Sequence, residues 1–370
     1  MRHTIPLHWV DAAGLPLRNK KEPTAPPPLS LYVHIPWCVQ KCPYCDFNSH
    51  AVGTELPENE YIDALFADLE SALPLIWGRP VISVFLGGGT PSLFSAKAID
   101  RLLTGIRMRV PLLPGAEITL EANPGTAEAE KFKGFRAAGV TRLSVGIQSF
   151  NPQHLKALGR IHDDNEAKQA AAWAAEIFDT FNLDLMLGLP QQTLPDALSD
   201  VQTALSFAPT HLSCYQLTVE PNTPFAALPA RQLQIPDADL CADMQDAVEA
   251  LLASAGFAHY ETSAFAKKGH RCQHNLNYWT FGDYLGIGAG AHSKLTLHDR
   301  ILRQVRHKSP KAYLAAHALA SSGTLSNFLQ NEHTVDAQAL PFEFMLNALR
   351  LIEGVNADLY EERTRLLKQQ

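Results

Sequence analysis

The sequence predicts an α/β protein built on a partial parallel (β/α)6 barrel, followed by a smaller, mainly helical domain. Three observations predict it. Short β-rich runs alternate with longer amphipathic stretches from residue 30 onward, the pattern of a parallel sheet with right-handed helical crossovers. Polar and glycine-rich residues gather where those runs end. A parallel barrel collects its functional groups at that face, whereas a doubly wound sheet uses mainly its switch-point loops. Beyond residue 265 the rhythm stops, and HNLNYWTFGDYLGIGAGAHS leads into an Ala- and Leu-rich tail.

Residues 1–29 are rich in Pro and polar residues and end in TAPPPL. They predict a flexible leader, because Pro blocks helix and ladder hydrogen bonds alike. The barrel is expected over 30–265. Its strands are SLYVHIP (30–36), VISVFL (81–86), EITLEA (117–122), RLSVGI (142–147), FNLDLML (181–187) and HLSCYQL (211–217). These runs read as strands buried on both faces, which parallel sheets require. Helices are expected near 59–73, 95–109, 127–138, 165–177, 194–207 and 237–255, with a short extra one near 152–158. The second domain is expected over 266–370, where PFEFMLNALRLIEG is an amphipathic helix.

Bulk properties exclude several classes. Net charge is −7 with no long Lys/Arg run, so a nucleic-acid partner is not expected, since phosphate neutralisation needs a basic surface. Apolar runs fall short of the roughly 20 residues that span a bilayer. The N-terminal stretch has no apolar signal-like core, so a cytoplasmic location is expected.

Cys38, Cys42 and Cys45 form C-x3-C-x2-C just after the first strand. Three thiolates at this spacing can hold three irons of a [4Fe–4S] cluster. The fourth iron then keeps an open, reactive position. A structural zinc site wants four ligands, usually in two pairs. Here Cys214, Cys241 and Cys272 are scattered without paired spacing, so they fit free buried thiols instead. Gly87-Gly88-Gly89-Thr90-Pro91 follows the second strand. It serves equally for a tight turn or for close backbone approach to a ligand, and it lacks the lysine of a nucleotide P-loop. Asp184 lies in an apolar strand, where a charge needs a partner or ligand. Tyr32 suits a core position and Arg160 a surface loop. Together with Glu121 and Gln148 around one barrel mouth, they suit a ribose, an adenine edge and an amino-acid moiety.

Y-x-H-I-P-W-C-x3-C-x2-C, GGGTPS, LEANP, GIQSF and DLMLGLP together resemble the radical SAM superfamily. The similarity runs from about residue 30 to about 355 and points to the branch holding oxygen-independent coproporphyrinogen III oxidase and its paralogues, the HemW-type heme chaperones. The resemblance implies that the open iron binds S-adenosylmethionine (SAM) and that the reduced cluster cleaves it to a 5′-deoxyadenosyl radical. It implies Cys38, Cys42 and Cys45 as cluster ligands, and Tyr32, Gly88 and Glu121 as contacts to cluster-bound SAM. Tyr44, Gly89, Thr90, Gln148, Arg160 and Asp184 match positions that line a second SAM site in the oxidase.

Two features separate the subgroups. The oxidase pattern continues to a fourth cysteine, where this chain has Phe47. The segment His274-Asn275-Leu276-Asn277-Tyr278-Trp279 resembles the H-N-x-x-Y-W element proposed to bind heme in the chaperones. A neutral imidazole is an ordinary heme ligand, and Tyr278 and Trp279 are suited to cover a porphyrin face. His274 serves equally as a hydrogen-bonded residue at a domain junction, and Cys272, His270 and His292 are alternative ligands. The resemblance therefore implies a heme chaperone carrying a [4Fe–4S] cluster, SAM and heme, rather than an active oxidase, which is the alternative. The implied partners are heme, a heme-accepting protein such as a membrane-associated respiratory enzyme, and a second copy of the chain. It also implies a winged-helix-like C-terminal module, whose last part is expected to be missing because the sequence stops at RTRLLKQQ.

Overall fold

A computed structural model describes residues 25–53, 55–321 and 327–366; the expected leader lies outside them up to residue 24. Six β/α units follow in order. They are β1 (Leu29–Ile35), α1 (Glu58–Ala72), β2 (Val81–Gly88), α2 (Ala96–Arg109), β3 (Leu112–Ala122), α3 (Ala129–Ala138) and β4 (Arg142–Gln148). Next come α4 (Pro152–Ala157), α5 (Asp164–Ile177), β5 (Phe181–Leu187), α6 (Leu194–Ser206), β6 (His211–Gln216) and α7 (Ala238–Ser254). Helix starts carry the signals expected of them. Asp163 and Thr193 form capping boxes ahead of α5 and α6, satisfying N–H groups that have no partner in the first turn. Gly139, in the left-handed region, ends α3.

The chain continues through β7 (Ala258–Glu261), β8 (Ala264–Ala266), α8 (Gln273–Trp279), β9 (Asp283–Ile287), β10 (His292–Thr296) and β11 (Ile301–Arg306). It ends in α9 (Pro310–Ser321), β12 (Leu329–Thr334), α10 (Leu340–Ala348) and α11 (Ala357–Thr364). These twelve strands form one open sheet, in the order β12-β11-β10-β9-β1-β2-β3-β4-β5-β6-β8-β7. Strands β9 and β1 to β6 run parallel, and the flanking strands pair antiparallel. The mainly helical second domain expected after residue 265 therefore differs in the structure: β9 to β12 continue the barrel sheet. The reason is a strand that glycine disguises. A Cβ on Gly286 would meet the backbone of His292, so β9 and β10 close only because position 286 has none.

Alternation within the strands decides what goes where. Leu31, Val33, Leu120, Val145, Leu183 and Leu212 face outward and join Leu69, Leu102, Phe135, Ala174 and Val248 of the helices in the main core. The other face, expected to be apolar too, is polar. Ser30, Ser83, Thr119, Arg142, Ser144, Asn182 and His211 are buried there, and five of them bond in two groups, Ser30 with Ser83 and Asn182 with Ser144 and His211. Ser30 and Ser83 hydroxyls lie 2.8 Å apart, and His211 Nδ1 donates to Asn182 Oδ1 at 2.6 Å. Two buried carboxylates tie on the C-terminal strands. Asp68 of α1 accepts from Gly288 N (3.1 Å), Arg306 Nε (3.2 Å) and Tyr313 Oη (2.8 Å). Asp283 pairs with Lys294 (3.0 Å) and Arg79 (2.9 Å).

Candidate functional site: a cysteine loop at the barrel mouth

The loop after β1 is closed at its base. Trp37–Cys38 and His50–Ala51 pair in parallel. Asn48 Nδ2 donates to the carbonyls of Ala289 and Lys308, each at 2.9 Å, clamping the loop to the C-terminal strands. The three cysteines face a cavity of about 400 Å³, which Tyr44, Gly89, Thr90, Glu121, Gln148, Arg160 and Asp184 also line. Burial raises the Cys38 thiol pKa, and the nearby Cys45 and Cys42 add to the rise. Thr90 Oγ1 donates to Cys38 Sγ at 3.4 Å, and Arg160 Nη1 reaches Cys42 Sγ at 3.5 Å. The Thr90 hydrogen bond opposes the rise at Cys38, and the thiolate is the form that binds iron.

Glycines bring the next strand against this loop. Gly89 N donates to Ile35 O and Thr90 N to Trp37 O. A Cβ on Gly89 would lie 2.6 Å from the Trp37 carbonyl oxygen, and one on Gly88 would enter the His34 ring. Gly88 N donates to Glu121 Oε2 at 3.0 Å. Burial, and then the Asp184 charge, push Glu121 up to about 8. Asp184 is raised by burial, although it accepts from Asn182 Nδ2 (2.6 Å), Tyr215 Oη (2.5 Å) and Ser144 Oγ (3.2 Å). Two adjacent carboxyls that burial pushes upward suit a ligand that brings its own cations.

Gln148 is the strained member. Its φ is +69°, unusual for a residue with a side chain. The β4–β5 register shifts just before it, a bulge that aims its side chain at the mouth. Its Oε1 is buried without a hydrogen-bond partner, as is fitting for an atom that awaits a ligand donor. The donor set, the glycine cradle and this open acceptor fit an iron–sulfur cluster with SAM at this mouth.

A second cavity, of about 510 Å³, adjoins the first and shares Phe47, Gly88 and Glu121 with it. Tyr32 borders this one, stacked 5.9 Å from Phe85, and donates to His34 Nδ1 at 2.8 Å. Tyr278, Trp279, Tyr284, His292 and Arg303 also line it. His274 does not. Its ring packs 4.0 Å from Phe85, Cys272 Sγ lies 3.0 Å from Nδ1, and Glu117 Oε1 lies 3.2 Å from the same nitrogen. Burial lowers its pKa. The expected axial ligand is thus turned into the barrel, because the helical period puts His274 and the buried Asn277 on one face, and Asn277 Nδ2 bonds Ser30 at 2.9 Å. Asn275 is half-buried and lines neither cavity. Cys272 is buried beside His274, and His270 lies 3.3 Å from Thr180. Sequence reasoning missed His34, Asn48, Tyr284 and Arg303. Only His34 left a local signal, two residues from Tyr32 and hence on the same strand face.

A loop of three cysteines, set at the C-terminal mouth of a partial parallel barrel, defines a radical SAM protein. Residues 32–203 match the radical SAM superfamily. The heme chaperone HemW of Escherichia coli (strain K12) is 51% identical over 89% of this chain and 84% of its own length. HemW of Haemophilus influenzae is also 51% identical, over 92% of this chain and 87% of its own. Radical S-adenosyl methionine domain-containing protein 1 of mouse mitochondria is 40% identical over 77% of this chain and 67% of its own. Among solved structures, coproporphyrinogen III oxidase (HemN) from E. coli superposes with a TM-score of 0.76 at 26% identity, over 92% of this chain and 80% of that one. The chain belongs to the HemW family.

Proposed function

We propose that this protein is a heme chaperone: it binds heme beside a [4Fe–4S] cluster and SAM and hands it to an acceptor protein. The observation that carries the reading is the aromatic cavity of about 510 Å³ opening beside the cysteine cavity, within the size range of sites for large organic ligands. Its aromatic walls suit a porphyrin face. Cys38, Cys42 and Cys45 hold the cluster. Gly88, Gly89, Thr90, Glu121, Gln148 and Asp184 receive SAM, with Tyr32, Tyr44 and Arg160 bordering it. When bound, cluster and SAM supply one-electron chemistry, and the chain supplies position and exclusion of water. Glu121 and Asp184 balance the cationic groups of SAM.

Phe47 stands where the oxidase pattern carries a fourth cysteine and is 65% exposed at the junction of the two cavities. That favours a binding role over porphyrin oxidation. No helix among the described residues is long and apolar enough to cross a membrane, which accords with a cytoplasmic carrier that meets a membrane-associated respiratory enzyme from outside the bilayer. The test is anaerobic cluster reconstitution, then heme titration, then a coproporphyrinogen assay on the same sample. One heme per chain and no vinyl product are expected. Conversion of the substrate, or failure to take up heme, would overturn the proposal.

A further inference from the structure

Two imidazoles border the aromatic cavity, and they differ in availability. His34 is fully engaged: Nε2 donates to Asn48 O at 2.9 Å, which leaves Nδ1 to accept from Tyr32 at 2.8 Å. His292 opens β10 and lines the cavity, and its imidazole has no hydrogen-bond partner among the described residues. We propose that His292 is the axial ligand of heme in this cavity, which Tyr278, Trp279 and Phe47 also line. This rests on the heme-binding reading above and locates the site within it.

Several observations converge on this placement. Burial, and then the neighbouring Lys308 and Arg303, lower the His292 pKa, leaving a neutral imidazole with a lone pair for iron. Of these two cations, Arg303 lines the cavity, where a guanidinium suits a propionate. Arg303 Nη1 donates to Tyr284 Oη at 2.8 Å, and Glu343 lies 2.6 Å from its other nitrogen. The guanidinium is therefore fixed in position at the rim. Tyr278 and Tyr284 meet edge to face at 4.8 Å, giving a rigid wall. Position 292 is also held tightly, because the missing Cβ of Gly286 lets the His292 backbone close onto β9. A ligand on a fixed strand beside aromatic side chains that brace one another lowers the reorganisation cost of binding.

The experiment is hemin titration of the full chain with its cluster in place, read by the Soret band and by the electron paramagnetic resonance of the ferric heme. His292→Ala is expected to weaken hemin binding at least tenfold and to change the heme spin state. Millimolar free imidazole should restore the wild-type spectrum in this variant. His274→Ala is expected to keep the wild-type spectrum, with cluster absorbance and circular dichroism monitoring its fold. A wild-type spectrum and affinity in His292→Ala, or imidazole rescue confined to His274→Ala, would overturn the assignment while leaving heme binding intact. If the wild-type chain takes up no hemin, the chaperone reading falls and this site with it.

Discussion

Replacing Glu121 with glutamine tests the electrostatics of the cysteine cavity. Glu121 accepts from Gly88 N at 3.0 Å, and glutamine keeps that acceptor while removing the titrating proton. In the folded protein the carboxyl pKa rises from 4.5 to about 8. A raised carboxyl means that the folded state holds a proton which the unfolded state gives up. Its stabilising contribution is therefore complete below about pH 4.5 and is lost as pH rises through about 8. At ~1.36 kcal/mol per pH unit, with a discount for water in the open cavity, the loss is ~3–5 kcal/mol. Urea unfolding of the ligand-free protein at pH 5.5, 7 and 8.5 measures it. Wild type should weaken across this series more than Glu121→Gln, and the variant should be the more stable of the two at pH 8.5. Bound SAM brings cations that stabilise the carboxylate, so calorimetry at pH 7 in buffers of different ionisation enthalpy should detect proton release on binding. The variant should release none and bind SAM ~10–100-fold more weakly, the cost of a lost charge-assisted bond. Parallel pH–stability curves for the two proteins would refute the reasoning.

Gly89→Ala should cut the iron content of reconstituted protein, measured per chain, because its Cβ would meet the Trp37 carbonyl at 2.6 Å and displace the strand leading into the cysteine loop. Asp68→Ala should cost ~3–5 kcal/mol in urea unfolding, since it strands buried Arg306 and unbinds Tyr313 and Gly288; a loss under 1 kcal/mol would count against that hub. His211→Phe should cost ~1–3 kcal/mol by leaving Tyr260 and Asn182 underbonded, and should also weaken SAM binding severalfold in calorimetry although His211 lines neither cavity. Phe342, Met345, Leu346 and Leu349 form an exposed apolar stripe on and just after α10, so Phe342→Glu with Leu349→Glu should reduce self-association in sedimentation velocity with little change in unfolding midpoint.

The parallel part of the fold is legible because each strand carries its outward apolar half locally, as in Leu31 and Val33 or Leu183 and Leu185. Cys38, Cys42, Cys45 and Gly88 are legible for a related reason: their chemistry depends on spacing along one loop. What escapes is long-range. Nothing near Gly286 in sequence announces that His292 must approach it, so β9 reads as a glycine-rich loop rather than a seventh parallel strand. Arg303 reaches the second cavity only because β10 and β11 fold back beside β9. The direction of His274 is hidden as well. A motif names the residues of a helix, but only its docking against β1 and β2 decides which face looks into the barrel.

The polar inner face explains how that buried motif bears on the mouth. Donors and acceptors along it permit one direction. Cys272 N donates to Tyr260 Oη at 3.3 Å, and Tyr260 donates to His211 Nε2 at 2.8 Å. Nδ1 of that imidazole must then carry the proton that Asn182 Oδ1 accepts, which commits the amide nitrogen to Ser144 and Asp184. Burial keeps the His211 pKa well below its usual value, so this neutral tautomer persists. Asp184 thus receives its orientation from the start of α8, through Tyr260, His211 and Asn182, which line neither cavity. An apolar barrel interior would bury as much surface without fixing any rotamer at the mouth. The hydrogen-bonded one specifies where a carboxylate points, which is what a site that must align a flexible sulfonium ligand beside an iron cluster requires.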